Sequence, residues 1–102
     1  MKRNIILVLI MKYSILVFFK FKELTKEQEE RAKSEWEKMV KEMPPEVKII
    51  SVNDHAWGTT YNGFMILEAD NFDAYVKFWK WFKDKVRWYV DHTQTVIGLK
   101  RE

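Results

Sequence analysis

The stretch Ser14-Ile15-Leu16-Val17-Phe18-Phe19-Lys20-Phe21 is apolar on both of its alternations. Side chains of a strand point to opposite faces in turn, so a strand of this composition needs cover on both sides and belongs in the middle of a sheet. Its β-branched and aromatic residues favour extended backbone, and Lys22-Glu23 closes the run. The rest of the chain must therefore supply one cover for each face. At 102 residues, 47% of them apolar, it is long enough for one hydrophobic core and too short for two. A single domain over residues 11–102 is expected, with residues 1–10 as an N-terminal extension.

The first cover is legible downstream. Thr25 stands three residues before Gln28, the spacing at which a hydroxyl accepts from a free N–H of the first helical turn while the Gln side chain reaches back to the cap residue. Ala32, Trp36, Met39, Val40 and Met43 follow at helical spacing. Glu27, Glu30, Lys33, Glu37, Lys38 and Lys41 fill the other side, until Pro44-Pro45 ends the helix. Val47 to Trp57 alternates and reads as a second strand. Tyr61 to Ala69 reads as a third, reached through a turn at Gly58 or at Asn62-Gly63. Within it Tyr61, Gly63, Met65, Leu67 and Ala69 share the helix-facing side, and Thr60, Asn62, Phe64, Ile66 and Glu68 share the other. Asp70, three residues before Asp73, approximates a cap for a second helix through Phe72, Tyr75, Val76, Trp79 and Phe82 that ends near Lys83 to Lys85. Arg87 to Leu99 then reads as the last strand, with Trp88 and Val90 near its start. The order strand, helix, strand, strand, helix, strand predicts an α+β, ferredoxin-like βαββαβ fold, a four-stranded antiparallel sheet with two helices on one face.

That arrangement leaves the second face of the sheet bare. It would carry Phe18 or Phe19, Ile49, Phe64 and Ile66, more apolar surface than a monomer exposes. Ala74, Phe78 and Trp81 add to the excess, since they lie off the expected inner face of the second helix. A homodimer burying about 800 Å² per subunit would supply the missing cover.

Composition narrows the setting. The chain has no Cys, which excludes a disulfide scaffold, a thiol nucleophile and thiolate metal sites, and makes a reducing cytoplasm the expected location. Its 18 basic and 15 acidic residues give a net charge of +3 and a mixed Lys/Glu surface of the kind frequent in thermophiles. The apolar run of residues 4–22 is interrupted by Lys12, Tyr13 and Ser14, whereas a spanning helix needs about 20 predominantly apolar residues. Ile5 to Ile10 is short for a signal sequence and no small-residue cleavage site follows. Met11-Lys12-Tyr13 reads as the start of the domain proper, so residues 1–10 fit an upstream start.

The Met11-Lys12-Tyr13 start with its apolar strand, Gly63-Phe64-Met65-Ile66-Leu67-Glu68-Ala69-Asp70 running into a helix rich in Phe and Trp, and a final Thr93-Gln94-Thr95-Val96-Ile97 strand resemble small dimeric α+β barrel proteins. The likeness covers Met11 to Lys100 and is nearest to uncharacterised prokaryotic families. It implies two sheets packed face to face into a barrel, sometimes with a ligand cavity between sheet and helices. The broader superfamily includes cofactor-independent monooxygenases, lactone isomerases and haem-handling enzymes. None of their diagnostic residue sets is present, so the resemblance carries over no catalytic residue.

Asn53-Asp54-His55-Ala56-Trp57-Gly58-Thr59-Thr60-Tyr61 is the densest polar and aromatic stretch. Asn53, His55 and Trp57 share a strand parity and could line one wall of a pocket, with Tyr61, Phe64 and Glu68 completing a candidate set for a small apolar or aromatic ligand. His55, Glu68 and His92 are the catalytic candidates. Imidazoles transfer protons near neutral pH, and a Glu68 turned into an apolar cavity would have a raised pKa and act as a base. The plainer reading has His55 and Trp57 covering a hairpin end and Glu68 reaching water or a Lys. His92, Glu68 and Asp91 could offer N and O ligands, but without His-x-His or Glu-x-x-His spacing no metal or other cofactor is expected.

Lys77, Lys80, Lys83, Lys85 and Arg87 interleave with Phe78, Trp79, Trp81 and Trp88, which raises nucleic-acid binding. Against the third-strand signature of RNA-recognition motifs, Gly63 and Phe64 fit, but Ile66 and Ala69 replace aromatic positions and Glu68 would repel phosphate. Neither nucleic acid nor membrane is an expected partner. The expected function is a homodimeric α+β barrel protein with a small-molecule-binding or structural role. The alternatives are a cofactor-independent isomerase or monooxygenase acting on an aromatic or polyketide-like substrate, and an oligomeric interaction module that makes contact through Phe78 and Trp81.

Overall fold

The computed structural model describes residues 12–101, and the expected extension, residues 1–10, lies outside them. The elements are β1 (Tyr13–Phe21), α1 (Lys26–Lys41), β2 (Val47–Asn53), β3 (Gly63–Ala69), α2 (Phe72–Val86) and β4 (Val90–Leu99). The strands form one antiparallel sheet in the order β2-β3-β1-β4, so the doubly apolar β1 is central. This is the ferredoxin-like fold. Ile15, Val17 and Phe19 of β1 and Gly63, Met65, Leu67 and Ala69 of β3 are buried beneath the helices, which is the β3 alternation the sequence predicts.

Helix α1 opens with the predicted reciprocal cap. Gln28 N donates to Thr25 Oγ1 at 3.2 Å and Thr25 N donates to Gln28 Oε1 at 2.9 Å. Ala32 and Met39 are buried on its inner side, while Val40 stays exposed. The core is aromatic and joins the layers. Trp36 of α1 meets Phe82 of α2 edge-on at 5.7 Å and Phe19 of β1 at 6.1 Å, and Phe78 lies 5.3 Å from Phe82. Such pairs contribute about 0.5–1.5 kcal/mol each beyond the area they bury.

Six expectations need correction. Strand β2 stops at Asn53, well short of Trp57, because a bulge between Ile49 and Ser51 breaks its parity and His55 takes a positive φ of 56° that ends the extended run. Ile49 pairs with Leu67 and so faces the helices rather than the bare side. The chain from Asp54 to Asn62 is a loop, and β3 begins at Gly63 rather than Tyr61. The cap of α2 is Asn71, whose Oδ1 accepts from Ala74 N at 2.8 Å. Asp70 instead donates its N–H to Glu46 O at 3.0 Å. Helix α2 then continues to Val86, and a turn in which Tyr89 N donates to Val86 O holds Trp88 out of β4.

The sixth correction concerns the inner face of α2. Tyr75, Phe78, Phe82 and Val86 are buried, Phe78 to 1% exposure, whereas Phe72 is 48% exposed. Phe78 is a core residue and cannot make the intermolecular contact considered for it. The helix is apolar around most of its circumference, so its period alone does not choose which stripe meets the sheet.

The opposite side of the sheet is bare in the single chain. Leu16 and Ile66 pair across β1 and β3, Phe18 pairs with Phe64 with ring centroids 5.6 Å apart, and Val96 of β4 lies opposite Leu16. Phe18, not Phe19, is the phenylalanine of this face. Glu68 with Lys12 and Lys100 borders it at one end, and His92 opposite Lys20 at the other.

Candidate functional site

Where β1 leaves the sheet, the layers separate and leave a cleft of about 320 Å³ between the end of β1, β2 and the first turns of α1. Phe19, Phe21, Leu24, Ala32, Trp36, Val52 and Tyr89 form its apolar walls, and Lys22, Glu29, Lys33 and Asp54 its charged rim. Its aromatic lining is fixed by backbone pairing. The β1–β4 register shifts between Lys20 and Phe21, Lys22 N donates to Tyr89 O at 3.0 Å, and the Phe21 ring stacks on Tyr89 at 6.4 Å. The neighbouring turn is clipped to α1. Trp88 Nε1 donates to Glu35 Oε1 at 3.4 Å, and Arg31, 3.2 Å from Glu35 Oε2, lies over the Trp88 ring at 4.6 Å. Burial, and then the negative charge of Glu35, push the Tyr89 phenol up to about 12, so it is a neutral hydroxyl over the ordinary pH range.

A broader groove of about 630 Å³ adjoins the cleft and shares Phe21, Lys22 and Asp54 with it. His55, Ala56, Trp57, Tyr61 and Asn62 line its other side. The loop that carries them is tied at its base, where Ala56 N donates to Asn62 O at 2.8 Å, Asn62 N to Phe19 O at 3.0 Å, and Phe21 N to Asn62 Oδ1. At its tip Gly58 has φ +81°, a conformation that disfavours any side chain. Trp57, beside it, is 93% exposed.

The sequence-predicted residues therefore divide among four places. His55, Trp57 and Tyr61 meet in the groove, although not through a shared strand parity. Asn53 and Phe64 lie on the bare side of the sheet, opposite one another, with Asn53 Nδ2 donating to Ser51 Oγ at 3.1 Å and Phe64 O at 3.4 Å. Tyr61 bridges the two regions, its ring 5.6 Å from Phe18. Glu68 is remote from the groove and lies at the far end of the bare side, opposite Ser14, where Lys100 Nζ at 2.9 Å and Lys12 Nζ at 3.3 Å hold it. Hydrogen bonds from Lys100 and then Lys12 keep its carboxyl below the usual carboxylate range. Its pKa is thus lowered rather than raised, and Glu68 reaches two lysines, as the plainer reading of the sequence has it.

His92 pairs across from Lys20, at the other end of β1 from Glu68, and its Nδ1 lies 3.0 Å from Asp91 Oδ2. Glu68 and His92 therefore share neither a catalytic nor a metal site, and among the described residues no group of three or more His, Asp and Glu comes together to hold a metal. Among the same residues no helix is long and apolar enough to cross a membrane.

Phe21, Leu24, Trp36, Val52 and Tyr89 were not among the sequence candidates. They come from four segments with no common motif, and only the tertiary fold brings them together.

No protein-family model and no curated protein matches the chain. Solved structures do match in fold. A DABB-family protein with a ferredoxin-like fold from Mesorhizobium loti is 13% identical, with a TM-score of 0.66 over 90% of this chain and 99% of its own. A dimeric ferredoxin-like protein of unknown function from Thermobifida fusca is 12% identical, with a TM-score of 0.61 over 88% of this chain and 92% of its own. A dimeric protein of unknown function and ferredoxin-like fold from Bacteroides fragilis is 17% identical, with a TM-score of 0.60 over 87% of this chain and 96% of its own. At such identities the likeness shows the ferredoxin-like fold.

Proposed function

We propose that the protein is a cytoplasmic homodimer that binds a small apolar or aromatic molecule in the cleft walled by Phe21, Trp36 and Tyr89. The observation that carries this reading is the cleft itself. At about 320 Å³ it falls at the lower end of the range for small-molecule sites, its walls are largely apolar, and a few polar groups converge at its rim. Lys22 and Lys33 stand against Glu29 and Asp54 there, so the rim favours neither a strong anion nor a strong cation. The groove with His55, Trp57 and Tyr61 is the entrance. The dimer follows from the bare apolar face of Leu16, Phe18, Phe64, Ile66 and Val96, and two of the structurally similar proteins are described as dimeric. Catalysis draws less support, because its three candidate residues lie in three separate places.

Native mass spectrometry of the purified protein tests the reading. A dimer carrying a defined extra mass that Trp36→Ala loses, while remaining dimeric, is the expected result. A bare dimer that also fails to take up a panel of aromatic probes such as naphthoate would leave a purely structural barrel.

A further inference from the structure

The stripe of α1 that borders the cleft is not purely apolar. Glu29, Ala32, Lys33 and Trp36 stand at i, i+3, i+4 and i+7, so they share one face of the helix, and all four line the cleft. Ala32, buried between the two charged residues, is small and leaves the cleft its room. The ends of two strands bring a second pair of opposite charges, Lys22 directly after β1 and Asp54 directly after β2. Strand β3 lies between β1 and β2, so these two strand ends are about 10 Å apart, two spacings of neighbouring strands. The helix wall and the strand wall therefore each carry one cation and one anion.

None of the four is committed elsewhere among the described residues, where they form no ion pair. Glu29 and Lys33 have the spacing and the orientation, Glu before Lys, that favour a pair along a helix. Arg31 and Glu35, at the same spacing on the same helix, do close to 3.2 Å. We propose, resting on the reading that the cleft takes an aromatic ligand, that this ligand is dipolar: an aromatic amino acid, whose ring lies against Phe21, Trp36 and Tyr89 while its ammonium meets Glu29 and Asp54 and its carboxylate meets Lys22 and Lys33. Such a head has no net charge and matches a rim of two cations and two anions. An aromatic acid or amine answers one pair of rim charges and sets a like charge beside the other, and a neutral ring answers neither.

Isothermal titration calorimetry on the full chain at neutral pH, with four probes that share an indole ring, tests the proposal. Tryptophan is expected to bind at least about tenfold tighter than tryptamine, indole-3-propionate or 3-methylindole. Glu29→Gln should weaken tryptophan and tryptamine but not indole-3-propionate, and Lys33→Gln should weaken tryptophan and indole-3-propionate but not tryptamine. Both residues are exposed on α1, and a circular dichroism melt checks that each variant keeps its fold. Equal affinities for the four probes, or tightest binding by any probe other than tryptophan, would overturn the dipolar ligand and leave the aromatic cleft standing. No binding by any of them would overturn both.

Discussion

Replacing Phe78 by alanine removes a ring that is 1% exposed and touches Phe82 at 5.3 Å, Trp81 at 6.2 Å and Tyr75 at 6.3 Å between centroids. Its ring neighbours belong to one helix whose buried face carries them into the core, so the cavity can collapse only in part. A large-to-small change of this kind costs about 3–5 kcal/mol. In a domain of about 100 residues each kcal/mol lowers Tm by about 4–8 °C, so Phe78→Ala should melt roughly 12 °C or more below the parent. Circular dichroism melts at matched protein concentration measure this, since a dimer's Tm depends on concentration. A Phe78→Ala, Phe82→Ala double-mutant cycle should add a coupling of about 0.5–1.5 kcal/mol for the ring pair. A loss below about 1 kcal/mol, accompanied by a change in subunit number, would refute the assignment of Phe78 to the core and restore its role as a surface contact.

Three further outcomes follow from local geometry. Gly63→Ala should cost about 1–3 kcal/mol in urea denaturation, because a Cβ there would come within 2.5 Å of Asn53 O and 3.0 Å of Phe19 Cε2. The folded pKa of Glu68 is depressed below 4.5, so its two lysines stabilise the fold above that value and the gain is lost as pH falls through the folded pKa. Glu68→Gln should flatten the acid limb of a Tm-against-pH curve. Tyr89 is raised from 10.0 to about 12, so its contribution is complete below pH 10 and lost as pH climbs towards 12. A spectrophotometric titration should show late-ionising phenol absorbance, since burial raises Tyr75 as well as Tyr89, and Tyr89→Phe should remove one phenol's share of it together with its share of alkaline unfolding.

The parts of the fold that the sequence makes legible are those governed by local chemistry. The cap at Thr25 and Gln28, the strict alternation from Gly63 to Ala69 and the doubly apolar β1 each have a physical meaning that needs no distant partner. What escapes is decided at a distance. One extra residue at Ile50 redirects β2, and Asp70 is drawn from capping into contact with Glu46 and Lys12. The stripe of α2 that turns inward is chosen by the sheet beneath it. The cleft is the extreme case, because Phe21, Trp36, Val52 and Tyr89 are unremarkable where they stand in the chain and become a site only when β1, α1, β2 and the turn before β4 converge.

The bare side of the sheet calls for cover by a second copy of the chain. Sedimentation equilibrium at micromolar concentration, on the parent and on Ile66→Lys, tests this directly. Ile66 pairs with Leu16 at the centre of that side, away from the helix-facing core, so a lysine there should leave the fold intact while charging the interface. A dimer is expected for the parent and a folded monomer for the variant. A parent that sediments as a monomer, or a variant that remains fully dimeric, would contradict cover by a second copy.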